Sequence, residues 1–227
     1  MQSEQTWIAF GDIHEDLSRL DAIPLLAEAS GIIVTGDMTN AGGIGTAERV
    51  LEAVVARNPR IYAQIGNMDR GEVTDWLRDK GWNMHAEVVE LAEGAFLVGA
   101  GASTATPFGT PSEFPESYFA ALLEDARHRL NQLGARHVLL VSHNPPHGTA
   151  CDRVGGNTHV GSMAVRRFIE AVQPDVCLCG HIHESRGEDR IGRTVVVNPG
   201  NLRAGGYVVV RLGENGFSAK LEVLPAE

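Results

Sequence analysis

The amino-acid sequence predicts an α/β fold, because short apolar runs alternate with segments whose apolar residues have helical spacing. Five of the runs are continuous and contain β-branched residues, which is typical of strands buried on both faces. Each run leads into a polar residue, and in four cases glycine stands directly before it. The runs are residues 7–10 before Asp12, 32–35 before Asp37, 61–65 before Asn67, 138–141 before His143 and 176–179 before His181.

The segments between these runs supply the remaining elements. Apolar spacing predicts helices that begin at Thr46 and Ser162 as N-caps, and a longer helix over residues 119–133. Strand-forming patterns at 87–100, 193–197, 207–212 and 219–224 predict a second sheet. The segment 101–115 is rich in Gly, Ser, Thr and Pro and predicts a long surface loop. On this interpretation the five continuous runs share the first sheet.

The polar residues that follow the five runs form a candidate metal site. Open α/β sheets bind ligands outside the carboxyl ends of their strands. Carboxylate, amide and imidazole groups together suit a pair of divalent ions. Taken singly, each residue is equally well a turn former or a hydrogen-bonded structural residue, but their common position favours one site. The candidate ligands are Asp12, His14, Asp37, Asn67, His143, His181 and His183.

The same residues carry a resemblance to a known family. Five short motifs occur in the order found in the calcineurin-like metallophosphoesterases, and the stretches 143–148 and 198–200 resemble its small single-domain prokaryotic phosphodiesterase branch. The resemblance implies a four-layer α-β-β-α sandwich of two mixed sheets flanked by helices, with one domain over residues 1–227. The motifs are Asp12-x-His14, Gly36-Asp37-x-x-Asn40, Gly66-Asn67-x-Asp69, Ser142-His143 and Gly180-His181-x-His183.

Roles follow from the resemblance residue by residue. It implies that Asp37 bridges two divalent ions, with Mn²⁺ expected first and Fe, Zn or Ni as alternatives. Asp12, His14 and His183 would complete one side of this dinuclear centre. Asn67, His143 and His181 would complete the other. A water activated by the ions would attack phosphorus in line with the leaving group. Asn67 and Arg70 are further candidates for contacts with the substrate.

One departure from the family pattern concerns the proton donor. Many members have His directly after the motif Asn, and Asp at the fourth position of the second motif. This chain has Met68 and Asn40 there. A thioether has no proton to donate. We therefore expect either another acid, with His159 and His147 as candidates, or substrates whose leaving group needs little protonation.

Composition limits the function further. The net charge is −10 and Lys and Arg form no cluster, which argues against nucleic acid as a partner. Apolar runs of membrane-spanning length and a leader pattern are both missing, so we expect a soluble cytoplasmic protein without membrane contact. Three cysteines suit buried thiols in a reducing compartment.

The predicted function is therefore hydrolysis of a small-molecule or nucleotide phosphodiester. Two alternatives stay open. One is a phosphomonoesterase, and the other is a metal-binding interaction scaffold of the same fold. The sequence does not predict the native metal, the substrate or the oligomeric state.

Overall fold

The structure is a computed structural model that describes residues 5–225. Strands and helices alternate over the first part of the chain, and strands predominate after the last helix. The helices are α1 (Ile44–Val55), α2 (Glu72–Asp79), α3 (Glu116–Gln132) and α4 (Met163–Val172). The strands are β1 (Gln5–Phe10), β2 (Gly31–Val34), β3 (Ile61–Ala63), β4 (Val88–Ala92), β5 (Ala95–Ala100), β6 (His137–Ser142), β7 (Arg153–Val154), β8 (Thr158–His159), β9 (Val176–Leu178), β10 (Gly187–Ile191), β11 (Thr194–Asn198), β12 (Gly206–Gly213) and β13 (Gly216–Val223).

Two mixed sheets form the centre of the molecule. The first has the order β13-β12-β1-β2-β3, and the second has the order β10-β11-β9-β6-β5-β4. Strands β1, β2 and β3 are parallel to one another, as are β5, β6, β9 and β11. The prediction of two mixed sheets flanked by helices is confirmed.

The prediction that the five motif strands share one sheet is wrong. Strands β1, β2 and β3 belong to the five-stranded sheet, whereas β6 and β9 belong to the six-stranded sheet. The strands of residues 87–100, 193–197, 207–212 and 219–224 are likewise divided between the two sheets. A continuous apolar run indicates that both faces of a strand are buried. It does not indicate which strand is its neighbour in the sheet.

Alternation along the strands produces three apolar layers. In β1, Trp7 and Ala9 face the layer between the two sheets, whereas Ile8 and Phe10 face the helical side. The six-stranded sheet covers a third layer against helices α3 and α4. Cys177 and Cys179 lie in this third layer with Cys151, and all three thiols are free and buried. The four-layer arrangement therefore fully buries the central strands.

Helix ends test the predicted caps. The Ser162 hydroxyl accepts the Val165 N–H at 3.2 Å, so this cap is confirmed. The Thr46 cap is wrong, because α1 already begins at Ile44 with Gly43 as its N-cap. The chain between Leu17 and Pro24 forms a short 3₁₀ turn, Leu20–Ala22. Within residues 5–225, helices long and apolar enough to cross a membrane are absent.

Candidate metal centre

The seven side chains predicted as ligands meet where the carboxyl ends of strands from both sheets converge. Two groups of three have their potential ligand atoms within 4.8 Å of one another. One group consists of Asp12, His14 and His183, and the other of Asp37, His143 and His181. Each group combines residues that follow strands of the five-stranded sheet with residues that follow strands of the six-stranded sheet. The site therefore depends on how the two sheets are packed together.

Distances within the first group are short. His183 Nε2 lies 3.1 Å from Asp12 Oδ1, and His14 Nε2 lies 3.3 Å from His183 Nε2. Two imidazole nitrogens and a carboxylate oxygen thus point into the same small volume. The Nδ1 atom of His14 is buried without a hydrogen-bond partner. These three atoms are close enough together to bind one cation.

The second group is joined by the amide oxygen of Asn67. Asn67 Oδ1 lies 2.7 Å from His181 Nδ1 and 3.0 Å from His143 Nε2. The amide nitrogen of Asn67 donates to Thr110 Oγ1 at 3.0 Å, which turns the oxygen toward the histidines. On the other ring nitrogen, His143 Nδ1 lies 3.3 Å from the carbonyl of Thr35. A proton on Nδ1 would donate to that carbonyl and leave the Nε2 lone pair for a metal.

Asp37 belongs to the second group and also lies near the first. Its Oδ2 atom lies 3.8 Å from His14 Nε2 and 3.5 Å from His143 Nε2. Its Oδ1 atom accepts the backbone N–H of Met68 at 2.7 Å, which fixes the carboxylate in place. A carboxylate that lies close to histidines of both groups could contact two ions.

The spacing of the donors fits divalent cations. Ligands about 2.1 Å from one ion lie roughly 3.0 Å apart in octahedral and 3.4 Å apart in tetrahedral geometry. Five donor separations at the centre, two of them to Asn67, lie between 2.7 and 3.5 Å and bracket these values. The mixture of imidazole nitrogens and hard oxygens is the one that Mn, Fe, Zn and Ni share. The residues present therefore fit a pair of divalent ions.

Strained backbone is concentrated at this site. Four of the proposed ligands have a positive φ angle: 48° at Asp12, 49° at His14, 52° at Asp37 and 68° at His181. This left-handed region is unfavourable for residues with a side chain, and such strain clusters at functional sites. Two of the glycines before ligands are needed for close approach. A Cβ atom would collide with the Asp37 carboxylate at Gly66 and with the Asp12 carboxylate at Gly180.

Three polar residues support the ligand loops, and two of them, Asp69 and Asn198, are fully buried. Asp69 accepts hydrogen bonds from the backbone of Met38, Thr39 and Gly66 at 2.9 to 3.2 Å, and from the Thr39 hydroxyl at 2.9 Å. It thereby ties the loop that carries Asp37 to the loop that carries Asn67.

The other two supports act in the same way on different loops. Asn198 donates to the carbonyl of Ile182 at 2.9 Å, between two histidine ligands. Asn40 donates to the carbonyl of His14 at 2.9 Å. All three supports lie within the stretches that carry the family resemblance, but their roles depend on contacts that the sequence does not display.

The buried carboxylates of Asp12 and Asp37 place uncompensated negative charge at the centre. Burial acts against an imidazolium at His143, but the nearby carboxylates of Asp37 and Asp12 outweigh it and raise the pKa of His143 to about 9. Burial, followed by the charge of Asp37, raises the pKa of Asp69 to about 7. Burial and the neighbouring charge of His143 lower the pKa of His181 to about 4. A proton on His143 thus offsets charge that two cations would offset more completely.

A cleft of about 810 Å³ opens from the centre to solvent. Its inner end is formed by proposed ligands, and its outer part is largely apolar. Residues 104–111 of the predicted surface loop form one side. The other lining residues are His14, Asp37, Ala41, Asn67, Met68, Val154, Val160, His181, Ile182, His183 and Glu184.

The remaining predicted site residues lie apart from this cleft. His159 Nδ1 pairs with the buried Asp152 at 2.6 Å, and His147 Nδ1 lies 3.8 Å from the same carboxylate. In the β7-β8 hairpin His159 is paired with Arg153, whereas the cleft is lined by Val154 and Val160. Neighbouring residues of a strand point to opposite sides. The proton-donor role of both histidines stays a prediction.

Arg70, the other predicted contact to the substrate, also stands outside the lining of the cleft. Its Nε atom donates to the carbonyl of Ala41 at 3.0 Å, and the residue is exposed. Sequence reasoning missed Phe108, Thr110 and Glu113, whose loop forms one wall of the cleft. The composition of that segment predicted a loop but gave no signal of its position.

Comparisons with known proteins show the family and the fold of the chain. A family model described as metallophosphoesterase, calcineurin superfamily, matches residues 82–220. An uncharacterized protein of Methanocaldococcus jannaschii is 38% identical over 176 residues, which cover 75% of this chain and 77% of the relative. A UPF0046 protein of Caenorhabditis elegans is 23% identical over 214 residues, covering 87% and 75%. The crystal structure of a Thermus thermophilus protein, 18% identical, shares the fold with a TM-score of 0.67 over 96% of this chain and 99% of that chain.

Proposed function

Because the chain belongs to the metallophosphoesterases of the calcineurin superfamily, we propose that it hydrolyses small-molecule phosphodiesters with the help of two divalent cations. The observation that carries the proposal is the position of Asp37 close to histidines of both groups of potential ligands. Asp12, His14 and His183 would hold one ion. Asn67, His143 and His181 would hold the other, and Asp37 would contact both.

The chemistry requires little from the protein beyond positioning. Divalent ions in such a site hold phosphoryl oxygens and lower the pKa of a coordinated water. The backbone N–H of Met68 holds the Asp37 carboxylate, and the hydroxyl of Thr110 holds the amide of Asn67. The ligands are therefore oriented before substrate arrives, which is the condition for efficient stabilisation of a transition state.

The charge of the cleft favours a diester over a monoester. Across the described residues 5–225, the lining of the cleft includes neither lysine nor arginine, and it includes the acidic residue Glu184. A phosphomonoester is a dianion near neutral pH, whereas a phosphodiester carries a single charge. Without cationic side chains in the cleft, the two metal ions alone must compensate the negative charge of the substrate. This balance is easier for the singly charged diester, with Mn²⁺ as the first metal to test.

Protonation of the leaving group limits the range of good substrates. Met68 lines the cleft at the position where many family members have histidine, and it donates only its backbone N–H, to Asp37. A leaving group such as nitrophenolate needs no acid, whereas an alkoxide does. Activated diesters should therefore react faster than alkyl esters, by a factor of about 10² to 10⁴ where an acid is missing. His159 and His147 remain the proposed substitutes.

The test is a substrate panel with metal-free protein reloaded with Mn²⁺. Bis(4-nitrophenyl) phosphate should be hydrolysed with a higher kcat/KM than 4-nitrophenyl phosphate. Asp37→Asn should abolish most of this activity and reduce the number of bound ions, whereas Glu222→Gln, on the edge strand β13, should behave as wild type. A preference for the monoester would favour a phosphomonoesterase. Metal binding without any hydrolysis would favour an interaction scaffold.

A further inference from the structure

Phe108 is the most exposed large apolar side chain of the described residues, at 84% relative exposure, and it lies at the edge of the metal-site cleft. Val160, which is also exposed, lines the same cleft. Isolated exposed apolar residues are common on protein surfaces, but apolar surface formed by several residues together often marks a binding site. Two exposed apolar residues that line the cleft of the proposed metal centre therefore suggest such a site.

The loop that carries Phe108 is held by hydrogen bonds on both sides of it. Glu113 Oε1 accepts from the hydroxyl of Thr106 at 2.6 Å, and from the backbone and hydroxyl of Thr110 at 2.7 and 2.6 Å. Burial acts to raise the pKa of Glu113, but these bonds together outweigh it and lower the pKa to about 2, so the carboxylate stays charged and keeps the contacts. Phe108 itself donates its backbone N–H to the Thr106 hydroxyl at 3.2 Å.

The same loop is tied directly to the metal centre. Thr110 accepts the amide N–H of Asn67, a proposed ligand, at 3.0 Å. At the start of the loop, the Thr104 hydroxyl accepts from Asn144 at 3.0 Å, one residue after the ligand His143. Phe108 therefore sits at a position that is defined relative to the ions.

The walls of the cleft outside this loop are also apolar. Val154 of β7, Val160 directly after β8, and Ile182 line them. The volume of about 810 Å³ exceeds what a phosphate group alone fills and lies in the range of sites for small organic ligands. Polar groups are concentrated at the inner end, where the ions would sit. The cleft thus has one end for an anion and one for an apolar group.

We propose that Phe108 binds a planar aromatic group of the phosphodiester substrate while the phosphoryl group sits at the metal centre. The inference rests on the proposed function and narrows its substrate class to diesters with an aromatic arm. An aromatic ring offset against Phe108 gains attraction beyond the area it buries. The absence of cationic side chains from the described lining directs the charged part of the substrate inward, to the ions.

The test uses two anions that resist hydrolysis because both substituents are bonded to phosphorus through carbon. Diphenylphosphinate and dimethylphosphinate carry the same single charge and differ only in the two substituents on phosphorus, which are phenyl groups in one and methyl groups in the other. They are titrated by calorimetry into Mn²⁺-loaded wild type, Phe108→Ala, Phe108→Trp and Leu133→Ala. Leu133 is a matched control, since it is also an exposed apolar residue, at 53%, and lies outside the lining of the cleft.

Wild type should bind diphenylphosphinate at least about 10-fold more tightly than dimethylphosphinate. Phe108→Ala should weaken the diphenyl compound by about 3- to 10-fold and leave the dimethyl compound unchanged. Phe108→Trp should retain the preference, and Leu133→Ala should match wild type. Equal affinities in wild type, or equal losses for both anions in Phe108→Ala, would overturn the inference.

Failure of the inference is distinguishable from failure of the proposed function. Hydrolysis of bis(4-nitrophenyl) phosphate is measured on the same samples. A wild-type protein that hydrolyses this diester but shows no preference between the phosphinates rejects only the aromatic site. A protein that prefers diphenylphosphinate through Phe108 but hydrolyses no diester rejects the function and keeps the site.

Discussion

Acidification is expected to destabilise the protein through His85, a buried histidine that holds the start of the loop lining the cleft. His85 Nδ1 accepts the backbone N–H of Gly101 at 2.9 Å, and Nε2 lies 2.9 Å from the hydroxyl of Tyr118. The first bond requires a lone pair on His85 Nδ1. Protonation of Nδ1 would break this bond and place its N–H opposite the backbone N–H of Gly101. Burial, and to a smaller extent the charge of Arg78, lower the pKa of His85 to about 4.

The sign of the effect follows from the direction of this shift. The unfolded chain binds a proton at His85 near pH 6.5, whereas the folded protein resists it until about pH 4. The contribution of His85 to the free energy of unfolding is therefore fully present above pH 6.5 and is lost as the pH falls toward 4. A shift of this size corresponds to about 2 kcal/mol of lost stability at pH 5 and about 3 kcal/mol at pH 4.

Urea unfolding of the metal-free protein between pH 7.5 and pH 4.5 measures this contribution. His85→Gln keeps a group that can hydrogen-bond but does not titrate, so its stability should be lower at pH 7.5 and fall less steeply toward pH 5. The difference in slope isolates His85 from other groups. His128→Gln is the control, since His128 is 62% exposed, and it should keep the wild-type profile. Parallel pH profiles for wild type and His85→Gln would refute the reasoning.

Three further outcomes are expected at the metal centre. Asp69→Asn should weaken Mn²⁺ binding by about 10- to 100-fold in calorimetry, because it loosens two ligand loops, whereas the exposed Asp75→Asn should not; equal affinities would count against the supporting role. Met68→His should narrow the gap in kcat/KM between a nitrophenyl diester and an alkyl diester, and an unchanged ratio would show that position 68 does not control protonation. Gly180→Ala should displace the Asp12 carboxylate and lower the number of ions bound per chain; retention of both ions would contradict the close approach.

The sequence could predict the candidate ligands because their signal is local. Each follows a buried run, and parallel strands bring such ends together whatever the sheet order is. The sequence also shows that Gly66 and Gly180 directly precede Asn67 and His181, but it does not show that the carboxylates of Asp37 and Asp12 approach these glycines. The sheet to which each strand belongs could not be predicted, because periodicity records burial and not pairing.

The apolar end of the cleft could not be predicted for a related reason. Its position depends on bonds from Glu113 to Thr106 and Thr110, within a segment whose composition indicates only a loop. The link from Thr110 to Asn67 spans 43 positions of the chain and leaves no trace in local spacing. The same limit applies to His159, whose pairing with Asp152 depends on a short hairpin that the sequence pattern did not reveal.

The division of the ligands between two sheets gives the proposed ions a structural effect in addition to their catalytic one. Asp12, His14, Asp37 and Asn67 follow strands of the five-stranded sheet, and His143, His181 and His183 follow strands of the six-stranded sheet. Protein contacts already join the sheets near this point, since buried Gln64 donates to carbonyls of Thr35 and Val141 at 3.3 and 3.2 Å. Each ion would add a link of the same kind, so the free energy of metal binding would also stabilise the packing of the sheets. The strained backbone at four proposed ligands holds the donor atoms close together at a cost in local conformational energy. The fully buried strands around the site make this cost tolerable.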